Sequence, residues 1–128
     1  MIGTFGMHYA IMKNFPRKMP PPVKILQSAA SIDRGGFEKR WYKIGDQEII
    51  LYKNKNAWLN QILHKDFITE FCDRLSSKFP GKKCLLFLDN FSGHKISYSQ
   101  YGNLEVKYFQ PNMTPYIQPL DMAFFFNL

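Results

Sequence analysis

An α/β fold is predicted by three stretches of this sequence. Residues 58–79 place apolar side chains at 58/59, 62/63, 67/68, 71/72, 75 and 79, the rhythm of a helix with one buried stripe and one wet face. Residues 84–88 (CLLFL) form a short unbroken apolar run, which suits a strand covered on both faces in a parallel or mixed sheet. Residues 104–109 (LEVKYF) alternate, as a strand with one wetter face does. Strands separated by helical segments give the α/β class. With 128 residues the chain has the size of one domain, and 45% hydrophobic content including 12 Phe and 7 Tyr supplies its core, which excludes wholesale disorder.

The elements follow in order. Residues 1–22 are read as a poorly defined amino-terminal segment, because Pro16, Pro20, Pro21 and Pro22 cannot lie inside a helix or a central strand. Its apolar start, Met1 to Met12, has no basic flank or small-residue cleavage site and is too short to span a bilayer, so neither a signal peptide nor a membrane helix is expected. Val23–Leu26 is a short strand, Gly35-Gly36 a turn, and Gln47–Tyr52 (QEIILY) another strand. Asn56 or Asn60 caps the long helix, and Pro80-Gly81 ends it. Ser92–Tyr101 has room for a short helix, Gln110–Pro115 is a loop, and a helix begins near Pro119.

Charge is distributed unevenly. Residues 1–60 hold 10 basic and 4 acidic side chains, a balance of +6, whereas residues 61–128 hold 7 and 6, a balance of +1. Such an excess is compatible with a polyanionic partner, since Lys and Arg placed near phosphates release condensed counterions. Cys72 and Cys84 have neither the number nor the spacing of a disulfide framework or a zinc site. Each lies in an apolar run and reads as a small buried hydrophobe, so a soluble protein of a reducing, intracellular compartment is expected.

Two aspartates stand where chemistry could be done. Asp89 directly follows the most apolar strand, and ligands of open α/β sheets gather at the carboxyl ends of strands. It would serve equally as a cap for the segment that follows. Asp121 lies 32 positions downstream (121 − 89), after one more strand and a Pro-rich loop, and an acid in the first turn of a helix is common for dipole reasons.

The strings LLFLDNFSGH (85–94) and YFQPNMTPYIQPLD (108–121) resemble the second and third catalytic-acid motifs of DDE superfamily endonucleases of the pogo/Tigger transposase type. YKNKNAWLN (52–60) is similar to the stretch that precedes the helix in that family. The resemblance covers roughly residues 20–125 and is strong from 52 to 121. It implies that residues 23–128 are part of an RNase H-like domain, a mixed sheet flanked by helices, whose chemistry is phosphodiester cleavage and strand transfer with two divalent ions, Mg²⁺ or Mn²⁺. Hard oxygen ligands suit such ions, and a pair of them needs converging carboxylates. By the match Asp89 is the second acid and Asp121 the third, with Asn90 and His94 behind them or facing substrate; an imidazole is a poor Mg²⁺ ligand and more often orients a neighbour. The family's first acid has no counterpart. Upstream Asp33 and Asp46 sit in turn-like strings, so the first catalytic strand and the family's DNA-binding helix-turn-helix region are read as absent, and the chain as amino-terminally truncated. The resemblance further implies DNA as a partner held electrostatically, a nuclear location and a compatible homo-oligomer. Three expectations follow: a weakly active or inactive nuclease fragment, a basic DNA- or protein-binding module adapted from a transposase, or a chain too incomplete to fold stably.

Overall fold

The computed structural model describes residues 7–109 and 122–126, and Met7 and residues 122–126 by their backbone alone. The chain divides into two compact units, one of Gly6–Leu63 and the other running from His64 onward.

The first unit is a four-stranded sheet in the order β1-β4-β3-β2, with β1 at Met7–Met12, β2 at Lys24–Gln27, β3 at Glu38–Ile44 and β4 at Gln47–Lys53. β3 and β4 form an antiparallel hairpin in register from Glu38↔Lys53 to Ile44↔Gln47. Its two-residue turn, Gly45-Asp46, needs a glycine because φ at Gly45 is 61°. β2 adds antiparallel to β3, and β1 adds parallel to β4. The proline cluster therefore lies in the crossover between β1 and β2, where no ladder hydrogen bond is needed. Between β2 and β3 a 3-10 turn at Ile32–Arg34 ends on Gly35, whose φ of 84° is left-handed. A Cβ on the next residue, Gly36, would stand 1.8 Å from the Ala30 carbonyl oxygen, so only glycine passes there.

Ile50 and Tyr52 are fully buried on β4, and Phe37 meets Tyr52 edge-on at 5.4 Å. Two of these strands give no clear signal in the sequence. β1 lies in the segment read as ill-defined, and β3 (EKRWYKI) carries four charges in seven residues. The charge on β3 is accommodated by aromatic rings: buried Lys39 holds its ammonium 4.4 Å from the Trp41 ring and 5.5 Å from that of Tyr52. A cation over a π face retains part of what it loses in leaving water.

One α-helix, α1 at Gln61–Lys78, begins at the end of the first unit and continues through the second. Asn60 caps it, its Oδ1 accepting from the Leu63 N–H at 2.9 Å. The buried stripe is Leu63, His64, Phe67, Ile68, Phe71, Cys72 and Leu75, and Pro80-Gly81 follow its end as expected. The second unit's sheet has the order β6-β5-β7, from β5 at Cys84–Leu88, β6 at Leu104–Tyr108 and β7 at Met122–Phe126. Central β5 runs parallel to β6 and antiparallel to β7. Cys84, Leu86 and Leu88 are fully buried, while Phe87 on the other face stacks on Phe109 at 5.3 Å.

Two expectations are corrected. Ser92–Tyr101 holds only a 3-10 turn at Ser92–His94 rather than a short helix, because its side chains bond outward to α1 and inward to Asp89 instead of closing helical turns. The helix expected from Pro119 is not continued by Met122–Phe126, which is a strand: a Met-Ala-Phe-Phe-Phe run favours the pleated state, and it pairs the open edge of β5. The loop expected at Gln110–Pro115 lies outside the described residues.

Candidate catalytic site around Asp89

Asp89 stands one residue past the end of β5, the middle strand of its sheet, so its backbone is fixed by ladders on both sides. Its carboxylate is bent back into the chain. Oδ1 accepts from the Phe91 N–H at 3.3 Å, a turn of the kind that Asp closes two residues on, and lies 2.8 Å from His94 Nδ1. His94 Nδ1 also approaches the Asp89 carbonyl oxygen at 3.3 Å. Both oxygens are acceptors, so the proton sits on Nδ1 and is shared between them. A quarter of the Asp89 side chain is exposed while His94 is buried. The imidazole therefore supports the acid from within and leaves the carboxylate a path to solvent. Asn90, the neighbouring candidate, is exposed.

Behind His94 lies a polar chain that sequence reasoning missed. The hydroxyls of Tyr98 and Tyr108 both donate to the His94 carbonyl, the latter at 3.1 Å. Having given its proton there, the Tyr98 hydroxyl accepts from Nε2–H of His64, 2.8 Å away on α1. This fixes the His64 tautomer and leaves its buried Nδ1 with no hydrogen-bond partner. Burial, and secondarily His94, hold His64 far below the usual histidine range, at about 3. Burial, and then Tyr108 and Tyr101, push the Tyr98 hydroxyl upward, so it remains a donor. The rings of His64 and His94 are 4.9 Å apart, and Phe91 meets His94 edge-on at 5.5 Å. One signal for this chain was present in the sequence: a histidine at position 64 on an otherwise apolar helical stripe.

The other candidates fall differently. Asp121 lies outside the described residues. Met122, the residue after it, pairs with Leu88, the residue before Asp89. Asp33 lies in the 3-10 turn and Asp46 in the β3–β4 turn; both are exposed. Among the described residues no three His, Cys, Asp or Glu side chains cluster closely enough to hold a metal ion. The carboxylate of Asp89 has the hard-oxygen chemistry that Mg²⁺ or Mn²⁺ prefers, but it is one such ligand rather than a cage.

The mixed α/β architecture and an acid leaving a central strand define a class, and comparison with known proteins agrees with it. The sequence matches the DDE superfamily endonucleases over residues 31–128, and the chain belongs to that family. Its mixed strands and the one α-helix among the described residues are consistent with an incomplete RNase H-like fold. It is also similar to Protein PDC2 of Candida albicans, 26% identical over 83 residues that cover 63% of this chain and 10% of that protein. The chain thus spans about a tenth of the length of this curated relative. No solved structure matches. Among the described residues no helix is long and apolar enough to cross a membrane.

Proposed function

We propose that this chain is a transposase-derived DDE endonuclease domain that binds DNA, in which Asp89 and Asp121 are the remaining metal-ligating acids and turnover is weak or absent. The observation that carries the reading is the Asp89–His94 pair at the end of β5: a partly exposed carboxylate held at 2.8 Å by a buried imidazole. Outer hydrogen bonds of this kind orient ligating carboxylates and are a regular part of metal sites. The pairing of Leu88 with Met122 supports a joint role, because the two flanking residues bring their strands together at one end of the sheet. Asp89 and Asp121 would hold the divalent ion, Mg²⁺ or Mn²⁺, whose contribution when bound is to activate the attacking oxygen and stabilise the leaving one. His94 keeps Asp89 in place, and Asn90, exposed beside it, faces substrate. Asp33 and Asp46 both lie in exposed turns, away from the end of β5 in sequence, and are not part of this reading. A nuclear location and self-association rest on the family alone.

The test is Mn²⁺ binding, followed by paramagnetic broadening in NMR spectra, together with nicking of supercoiled DNA. Weak binding that disappears in Asp89→Asn, with little or no nicking, is expected. Efficient Mg²⁺-dependent nicking that is lost in Asp89→Asn would overturn the claim of weak turnover. Equal Mn²⁺ broadening in wild type and variant would remove Asp89 from the site.

A second reading, a DNA- or protein-binding module without catalysis, is favoured by the charge. All ten basic residues of the first sixty fall within Gly6–Leu63, giving that unit +6. Affinity for duplex DNA weaker than about 10⁻⁴ M at physiological salt, below ordinary non-specific binding, would exclude its DNA form.

A further inference from the structure

The segment that links β4 to α1 carries a feature that the Asp89 site does not use. Trp58 is 63% exposed, although an indole is among the most apolar surfaces a chain can present. Its exposure is built into the loop. The buried amide of Asn54 brackets the Trp58 peptide, accepting from its N–H at 3.1 Å and donating to its carbonyl at 2.6 Å. Ala57, immediately before it, is the one non-glycine among the described residues with positive φ, at 52°. Asn60 ties the far end of the loop to the Gly35 carbonyl at 2.9 Å. The asparagines 54 and 60 are therefore committed to holding the loop.

Beside the indole is an open hollow of about 410 Å³, lined also by Asp33, Lys55 and Asn56. That volume lies within the roughly 300–1,000 Å³ of small-molecule sites. Lys55 and Asn56 are exposed and make no hydrogen bond or ion pair with another described residue. An apolar plate, an uncommitted amide and an uncommitted cation thus converge on one space, with a carboxylate at its edge.

We infer that this hollow takes one unpaired nucleobase of a DNA strand, stacked on Trp58. The indole face receives the base, since every base has a π surface and stacking tolerates any sequence. The Asn56 amide can both donate to and accept from a base edge, and the Asp33 carboxylate accepts from an exocyclic amino group. Lys55 is left for the flanking phosphate. The Asp33 carboxylate would repel a bare phosphate inside the hollow, and this favours a base over a free anion as occupant. The inference deepens the DNA-binding reading and rests on it.

The experiment follows tryptophan fluorescence of the intact chain titrated with a mixed-sequence single-stranded 16-mer, and separately with the same sequence as duplex. The expected result is quenching by the single strand and little by the duplex. Trp58→Ala weakens single-strand binding about tenfold or more, with duplex binding unchanged, while Trp58→Phe keeps most of the affinity but loses the quenching. Asn56→Ala and Lys55→Ala, which leave the loop's own bonds intact, weaken single-strand binding by smaller factors. Equal single-strand affinity in wild type and Trp58→Ala, or equal quenching by duplex, overturns the stacking site while leaving DNA binding standing. If the wild-type chain binds neither form, the DNA-binding reading fails and takes this inference with it.

Discussion

His64 presents its ring on the buried stripe of α1, and burial holds it neutral down to about pH 3. The unfolded chain protonates the same residue near its ordinary value of 6.5, so between about 6.5 and 3 the unfolded state binds more protons. This residue's contribution to stability is complete above pH 6.5 and is lost as pH falls below it, by at most about 1.4 kcal/mol per pH unit. Urea midpoints taken from pH 7 to 5 should decline, and His64→Phe should flatten that decline. The two tyrosines on the His94 carbonyl differ in consequence. Tyr98→Phe leaves the His64 Nε2–H without an acceptor as well as removing a donor, so a loss of about 1–3 kcal/mol is expected in urea unfolding. Tyr108→Phe removes one of two donors from a ring that is 38% exposed, and about 0.5–1 kcal/mol is expected. Similar losses in both variants would show that the His64 bond contributes little.

At the scale of elements, α1 is anchored through Asn60, whose Oδ1 caps the first turn while its amide holds Gly35. Asn60→Ala should cost about 1–2 kcal/mol, read as lost helicity and a lower melting temperature. Leu75→Ala, at a fully buried position of the same helix, should cost about 2–5 kcal/mol through the cavity it leaves. The helix, β4, β5 and β6 were legible because each has a period or an unbroken apolar run that local chemistry explains. β3 was not legible, since the charges of Glu38, Lys39, Arg40 and Lys43 hide a strand whose buried Lys39 is accommodated by Trp41 on the same strand and by Tyr52 on neighbouring β4, a pairing no local pattern shows. β1 was hidden because a strand of six residues is stabilised by its parallel partner β4, some forty positions away in sequence. Of the candidate site, the place of Asp89 at the end of an apolar strand was legible from strand and motif. The support from Tyr98 and Tyr108 depends on how the chain returns after β5, and no local pattern specifies that.

Across the whole molecule, the charge excess and the candidate site fall in different units: Gly6–Leu63 carries +6, and Asp89 with its histidine support belongs to the other. If DNA is held by that charge, affinity should fall steeply with salt, with a logarithmic slope near −0.9 for each phosphate neutralised on duplex. Replacing exposed Lys43 and Lys55 by alanine should make the slope shallower by about two units, measured by anisotropy between 50 and 200 mM salt. An unchanged slope would move the contact elsewhere.

The two cysteines have a practical consequence for kinetics. Cys72 lies on the buried face of α1 and Cys84 on central β5; both are free thiols, and burial pushes Cys72 up to about 12. Both thiols are buried, so an alkylating reagent can modify them only during excursions that open the unit. The labelling rate at each thiol, resolved by peptide mass, is thus a clock on the opening of the helix face and of the central strand separately. Equal rates would mean that the unit opens as one cooperative body, and faster labelling at Cys72 would mean that α1 lifts away while the sheet beneath Asp89 remains formed.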